Sequence, residues 1–433
     1  MGRHAGTRLT EEHSRPRPGR PHDPGPGWPA AATGHGHGHG GHSGHGSGQA
    51  DRRGRTLLAA ILIPCAVATL IGLVALWPGH RHYPVPPQFQ TVGGGAVTFV
   101  TGEVLSSQRD HCTGSTTRVC LVSVVELKDG STTGLEFPDG PGAPRLAAGD
   151  QVRLARTSDP QTGGPAYVYD DEVRDLPLGL LALGFAVVVV AVARWRGLAA
   201  LAGLGLAYGV LVLFVLPALL AGKPALPVGL VASAAILYAV LYLAHGPSAR
   251  TSTALAGTLL SLALTGVLAS QATGAARITG LSSEQLPALH TSAPQVSFTG
   301  LLLCGVVIGA LGVLNDVTVT QASAVWELAA ADPGAPGRRL YAGAMRIGRD
   351  HIASSVYTLM LAYAGSAIPV LLLVSLSGRS VHDIITGDQV AEEVVRTLVG
   401  GIGLVAAVPI TTALAVATVT RRRSGRQSQP VSS

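Results

Sequence analysis

The residues best suited to chemistry lie in the run Val313-Leu314-Asn315-Asp316-Val317-Thr318-Val319-Thr320-Gln321-Ala322-Ser323-Ala324-Val325-Trp326-Glu327. Asp316, Thr320, Ser323 and Glu327 recur three to four residues apart, so one face of a helix here is polar while Val317, Ala324 and Leu328 face elsewhere. A carboxylate amid hydroxyls beside an apolar stretch is costly in hydrocarbon, and it points to a polar cavity or an ion relay. Counting from Phe298, Asp316 lies roughly 27 Å along the helix, at the inner edge of a bilayer rather than its centre. The same depth also suits a second reading, in which Asn315 and Asp316 mark the cytoplasmic exit of a long helix.

A second polar cluster is Met345-Arg346-Ile347-Gly348-Arg349-Asp350-His351. Arg346 precedes Asp350 by one helical turn, which suits an ion pair, and Arg346 or Arg349 is placed to neutralise Asp316 across a helix interface. Anchoring of arginines on the cytoplasmic side explains them equally well. Gly305 and Gly309 form a small-residue pair that would admit a neighbouring helix. Thr258, Ser261 and Thr265 make a mild polar stripe whose commoner explanation is hydroxyls bonding back to their own helix. Cys112 and Cys120 are spaced for a short disulfide loop, whereas Cys65 and Cys304 lie in apolar runs and read as packing residues. His35, His37, His39, His42 and His45 supply enough imidazoles to hold Zn, Ni or Cu loosely, with low-complexity drift as the plainer alternative.

No Gly-x-x-x-x-Gly-Lys-Ser/Thr loop, His-Glu-x-x-His helix or Gly-x-Ser-x-Gly elbow is present, so neither an ATP-driven pump nor an enzyme is expected, and no cofactor is implied.

The elements that must position these residues are mostly apolar. Of 433 residues 47% are hydrophobic and 13% charged, too few charges to clothe a soluble globule of this size. The net charge of +6 is not a nucleic-acid signal, because the basic residues sit in the tail, the short loops and the C-terminus. Residues 1–56 are rich in Pro, Gly, Arg and His and cannot bury enough surface to offset chain entropy, so a disordered tail is expected. An anchor helix follows at 57–77. Residues 78–176 carry short β-branched runs, Ala96 to Val100, Val119 to Val125 and Gln151 to Leu154, punctuated by Asp129-Gly130 and Gly149-Asp150. These predict a small β-barrel or sandwich-like domain. A seven-helix bundle over 177–420 and a basic tail at 421–433 complete the chain, with a kink expected at Pro369 in the seventh span.

Arg194, Arg196, Arg250, Arg338, Arg339, Arg346, Arg349 and Arg421 to Arg423 fall in alternate loops, and Lys223, Arg277, Arg379 and Arg396 in the others. The positive-inside rule then places both termini in the cytoplasm and the β-rich domain outside a bacterial plasma membrane. The fold class expected is a polytopic α-helical membrane protein of about eight transmembrane helices with a small extracytoplasmic β domain.

At Gly309-Ala310-Leu311-Gly312-x-x-x-Asp316, Gly348-Arg349-Asp350 and Ala362-Tyr363-Ala364-Gly365-Ser366-x-x-Pro369, the chain resembles the YibE/F-like family of polytopic membrane proteins, over roughly residues 57 to 420. Members often have Met-Asp where this chain has Asn315-Asp316, and the carboxylate is kept. The resemblance implies a membrane protein without implying a reaction. The function expected is transport or permease-like, with an inward-facing polar site on the sixth and seventh spans. The alternative is a membrane-tethered sensor or assembly factor acting through the β domain. The partners expected are the lipid bilayer and a small solute or ion, not nucleic acid, with a homo-oligomer left open.

Overall fold

The computed structural model describes residues 48–79, 97–158, 164–280, Leu289, 293–376 and 378–427. Helix α1 (Gly48–Ala75) leads to five strands: β1 (Thr98–His111), β2 (Val119–Leu127), β3 (Thr132–Pro138), β4 (Gln151–Ser158) and β5 (Pro165–Glu172). Then come α2 (Asp175–Ala193), α3 (Trp195–Val210), a π-helical turn at Leu211–Val215, α4 (Leu216–Leu220), α5 (Ala225–His245) and α6 (Ala249–Ala275). Helices α7 (Phe298–Ala331), α8 (Gly337–Ser366), α9 (Ile368–Ser375), α10 (Val381–Thr386) and α11 (Asp388–Gln427) complete the described chain.

The strands form one antiparallel sheet in the order β3-β2-β1-β4-β5. Asp129 starts the β2–β3 turn by accepting from the Ser131 amide at 3.0 Å, and Gly130 takes the positive φ of 79° that such a turn requires. Irregularities between Val104 and Ser106 and between Arg153 and Leu154 add local twist. The sheet curls until Phe137 on one edge strand meets Tyr169 on the other, rings edge-on with centroids 5.2 Å apart. Val104, Val125, Val152 and Leu154, the inward residues of this curl, are almost wholly buried. It is a single curled sheet whose edge strands meet through side chains, closer to the barrel than to the two-layered sandwich among the forms expected.

Seven helices among the described residues are long and apolar enough to cross a membrane, and the bent pair α8–α9 makes eight if counted as one span. The break falls at Ala367, two residues before Pro369, with a bend of 61°. Pro369 has no N–H for the ladder and its ring displaces the preceding turn. In α2 no residue is buried, although Leu, Val, Ala and Phe occupy nearly every position. A helix apolar on all sides yet uncovered by its own chain matches hydrocarbon as a surrounding.

Helix α1 is built into the bundle, its Leu58 and Leu62 joining Leu237, Leu255, Leu314 and Leu404 in one core. The Tyr238 hydroxyl donates to the Leu62 carbonyl at 2.7 Å, and Lys223 Nζ donates to the Ala75 carbonyl at the end of α1 at 3.1 Å.

The close helix approaches lie elsewhere than at Gly305 and Gly309. A β-carbon at Gly305 would meet nothing within 4 Å, and one at Gly309 only the Tyr363 hydroxyl at 3.0 Å. Gly257 instead admits Thr411, Gly403 admits Thr265, and Gly348 admits both Val408 and Gln321. These three contacts draw α6, α7, α8 and α11 together, and they do so because no methyl group intervenes.

Candidate functional site

Helix α6 starts at Ser248, whose hydroxyl accepts from the Thr251 amide at 3.1 Å and so satisfies one of the free donors of the first turn. Around this start lies a cavity of about 410 Å³ whose lining includes Arg196 from α3, His245 from α5, Arg250, Thr251 and Ala254 from α6 and Ser323 from α7. Arg250 crosses to α7, its Nε donating to Ser323 Oγ at 2.8 Å and a terminal nitrogen to Glu327 Oε1 at 3.1 Å. Two guanidinium groups from different helices and the positive end of α6 give this cavity a cationic character.

Beyond the cavity, α6 carries a run of hydroxyls buried in the bundle. One to three turns beyond Ala254 on α6 lie Thr258, Ser261 and Thr265, each without exposed surface. Each donates back to the carbonyl four residues earlier at 2.8 Å, as expected for hydroxyls in an apolar helix. Thr258 also faces Thr318 of α7, their oxygens 2.6 Å apart. On the neighbouring flank Gln321 Nε2 donates to the Ala344 carbonyl at 2.8 Å and to Thr412 Oγ1 at 2.7 Å. Thr411 Oγ1 is buried and without a hydrogen-bond partner among the described residues. At the far end Ala269, Ile278, Leu302, Val306 and Val399 close the bundle with an apolar plug. From Ser323 to Leu302 the distance along α7 is about 30 Å, the thickness of a hydrocarbon core.

Against this geometry the sequence-predicted residues divide. Ser323 and Glu327 are brought together by Arg250, a residue read from sequence only as a loop charge. Asp316 and Thr320 lie on the exposed side of α7, and Thr320 donates to the Asp316 carbonyl at 2.9 Å. Asn315 is half-buried, with Oδ1 unpartnered among the described residues. Arg346, Arg349 and Asp350 are exposed on α8, and among the described residues no ion pair joins them to Asp316 or to one another. The expected neutralisation of Asp316 is therefore not made, because the face of α8 that meets α7 carries Ala344 and Gly348 instead of arginines.

Thr412 escaped the sequence reading, and Gln321, read as extending the polar run of α7, instead falls in register with Leu314, Thr318 and Val325 on its buried stripe. Glu392, Glu393 and Arg396 were missed as part of a helix, since three charges ended the apolar run at residue 397. In the structure α11 already starts at Asp388, and Arg396 pairs with Glu393 at 2.7 Å.

Cys112 and Cys120 are joined by a disulfide that closes the β1–β2 loop. Nearby, Glu136 of β3 accepts from both the amide and the hydroxyl of Thr113, and these hydrogen bonds hold its carboxyl below the ordinary value of 4.5. Burial raises the Tyr169 phenol. His35, His37, His39, His42 and His45 lie outside the described residues, and among the described ones no group of three or more His, Cys, Asp or Glu could hold a metal ion.

Among the described residues, a bundle of seven or eight helices long and apolar enough to cross a membrane, with a curled antiparallel sheet between its first two helices, has the architecture of a multi-pass membrane protein. The model of the YibE/F-like protein family matches residues 181–421, more than half of the chain, and the chain belongs to that family. No curated protein and no solved structure matches it.

Proposed function

We propose that this chain is a multi-pass plasma-membrane protein of transport or permease type, with both termini in the cytoplasm and its sheet outside. A small polar solute or ion enters from the cavity around Arg196 and Arg250. The observation that carries this reading is a polar cavity at the start of α6, with the buried hydroxyls of Thr258, Ser261 and Thr265 following it along the same helix and the apolar plug of Leu302, Val306 and Val399 at the other end of the bundle. A polar opening at one end and a dry closure at the other is the arrangement expected of a state open to one side of a membrane. The orientation is supported by the charges: Arg194, Arg196, Arg250, Arg338 and Arg339 belong to the helix ends and turns on the Ser323 side of α7.

Single cysteines at Val319, Thr258 and Val306, in a chain carrying Cys65→Ser and Cys304→Ser, test it with a membrane-impermeant thiol reagent in inverted and right-side-out vesicles. Val319→Cys should label readily from the cytoplasmic side, Thr258→Cys, buried in this state, slowly from the same side as the path opens, and Val306→Cys from neither. Failure of Thr258→Cys to label from the cytoplasmic side removes the path.

A further inference from the structure

At the plugged end, the bend between α8 and α9 stands over the first turns of α11, and two cavities of opposite character meet there. One, of about 370 Å³, is lined by Ser366, Gln389, Glu392, Glu393 and Arg396 together with the start of α7. The other, of about 270 Å³, runs between α8 and α11 and is almost entirely apolar, with Met360, Leu371, Val394 and Leu398 in its walls. They share Ala367, Val370, Gln389 and Glu393, so one molecule with a polar end and an apolar end can occupy both.

The polar half limits what that end can be. Glu393 and Arg396 pair through one oxygen and one terminal nitrogen, while Glu393 Oε2 and Arg396 Nε are shut off from water and have no hydrogen-bond partner among the described residues. Because the Glu393 carboxylate and the Arg396 guanidinium both line this cavity, a headgroup that both donates and accepts suits it. An ammonium answers the carboxylate, and a phosphate oxygen answers the guanidinium, for which a charge-assisted bond is the strong case. Leu361, Leu372 and Leu373, chain neighbours of the groove residues Met360 and Leu371, are each more than 60% exposed, an apolar surface suited to acyl chains.

We propose that the α8–α9 bend and the start of α11 form a binding site for a phospholipid whose headgroup carries an ammonium beside its phosphate. The headgroup sits against Glu393 and Arg396 and one acyl chain lies along Met360, Leu371, Val394 and Leu398. The proposal rests on the bundle being embedded in lipid and not on its being a transporter.

The full-length protein, purified in detergent and equilibrated with equal amounts of phosphatidylethanolamine and phosphatidylglycerol, is examined by native mass spectrometry for retained lipid. At least a fivefold preference for phosphatidylethanolamine is expected. The preference should fall toward one in Glu393→Gln and in Arg396→Gln, and total retention should fall in Val394→Trp, which fills the groove. Arg250→Gln, at the other end of the bundle, should leave retention as in the parent, so a failed solute path and a failed lipid site give different patterns. Equal retention of the two lipids by the parent protein, or a preference untouched by Glu393→Gln and Arg396→Gln together, overturns the proposal. Complete displacement by soluble phosphoethanolamine at equal concentration overturns it too, since the groove would then contribute nothing. Should a charge variant fail to fold, Val394→Trp and the parent's own preference still decide.

Discussion

The Gln321 side-chain amide lies 2.7 Å from Thr412 Oγ1, and directly beneath it Gly348 is so close that an added β-carbon would stand 3.0 Å from Gln321 Oε1 and 2.5 Å from Val408 Cγ1. Helices α7, α8 and α11 thus meet at a point with two polar bonds, from Gln321 to Thr412 and to the Ala344 carbonyl, and no spare volume.

The two components of this junction differ in weight. Interhelical hydrogen bonds in apolar surroundings contribute about 0.6 kcal/mol on average, and overpacking a filled interface costs about 1–3 kcal/mol. Gly348→Ala is therefore expected to destabilise the bundle more than Gln321→Leu, as read by thermal unfolding in detergent. Val408→Ala removes the tighter of the two collisions, so Gly348→Ala should cost less in a Val408→Ala background than alone. Additive effects would show that the backbone, not the side chains, absorbs the strain.

Cys112 and Cys120 staple the β1–β2 loop. Closing so short a loop contributes about 2–3 kcal/mol in the chain-entropy account, so the double serine variant should lose about that much in the sheet. The pair also reports on sidedness. In intact cells both sulfurs should resist alkylation until a reductant is added, because disulfides persist outside the reducing cytoplasm. Ready alkylation without reductant would put the sheet on the cytoplasmic side.

Much of this architecture could be read from the residues. Apolar run length alone locates the spans, because a helix of about 20 residues is what a 30 Å hydrocarbon layer requires. The reading of α7 as a helix through Glu327 agrees with its end at Ala331, whereas α11 begins at Asp388, nine residues ahead of the apolar run that starts at 397, where apolarity but not helicity ends. Strands β1, β2 and β4 announced themselves by β-branched runs, whereas β3 and β5, with Glu136 and with Asp170, Asp171 and Glu172, did not. The site was half legible. Spacing puts Ser323 and Glu327 on one face with Asp316, but only the packing of α6 against α7 decides that Arg250 reaches the first two and not the third. Gly305 and Gly309 have the spacing of a helix contact, yet Gly305 meets nothing and Gly309 only the tip of the Tyr363 side chain of α8, since spacing specifies a face and not what covers it.

Glu136 gives the β domain a pH dependence whose sign is fixed. Its folded carboxyl is held below the ordinary 4.5 by the two Thr113 hydrogen bonds, so the unfolded chain takes up a proton first as the pH falls. The stabilisation is complete above 4.5 and is lost as the pH falls below that value through the depressed folded value. Amide exchange of the 112–120 loop, corrected for the intrinsic rate, should rise between about pH 6 and about pH 3 in the parent and stay flat in Glu136→Gln. Equal slopes in the two proteins would assign the effect to another carboxylate.

Arg250 separates function from stability. Its side chain is 45% exposed and that of Glu327 74%, and exposed ion pairs contribute at most about 1 kcal/mol, so Arg250→Gln should unfold at nearly the parent temperature. Its effect should appear in the field of the cavity instead. With Val319→Cys as the reporter, an anionic thiol reagent should react several-fold faster than a cationic one of similar size, since a cleft lined by one sign of charge concentrates the other. That ratio should fall toward one in Arg250→Gln and in Arg196→Gln. Asp316→Asn should leave it unaltered, because Asp316 lies on the exposed side of α7 and takes no part in the cavity wall. A ratio that responds to Asp316→Asn and not to Arg250→Gln would move the site to the Gly312–Thr320 side of α7.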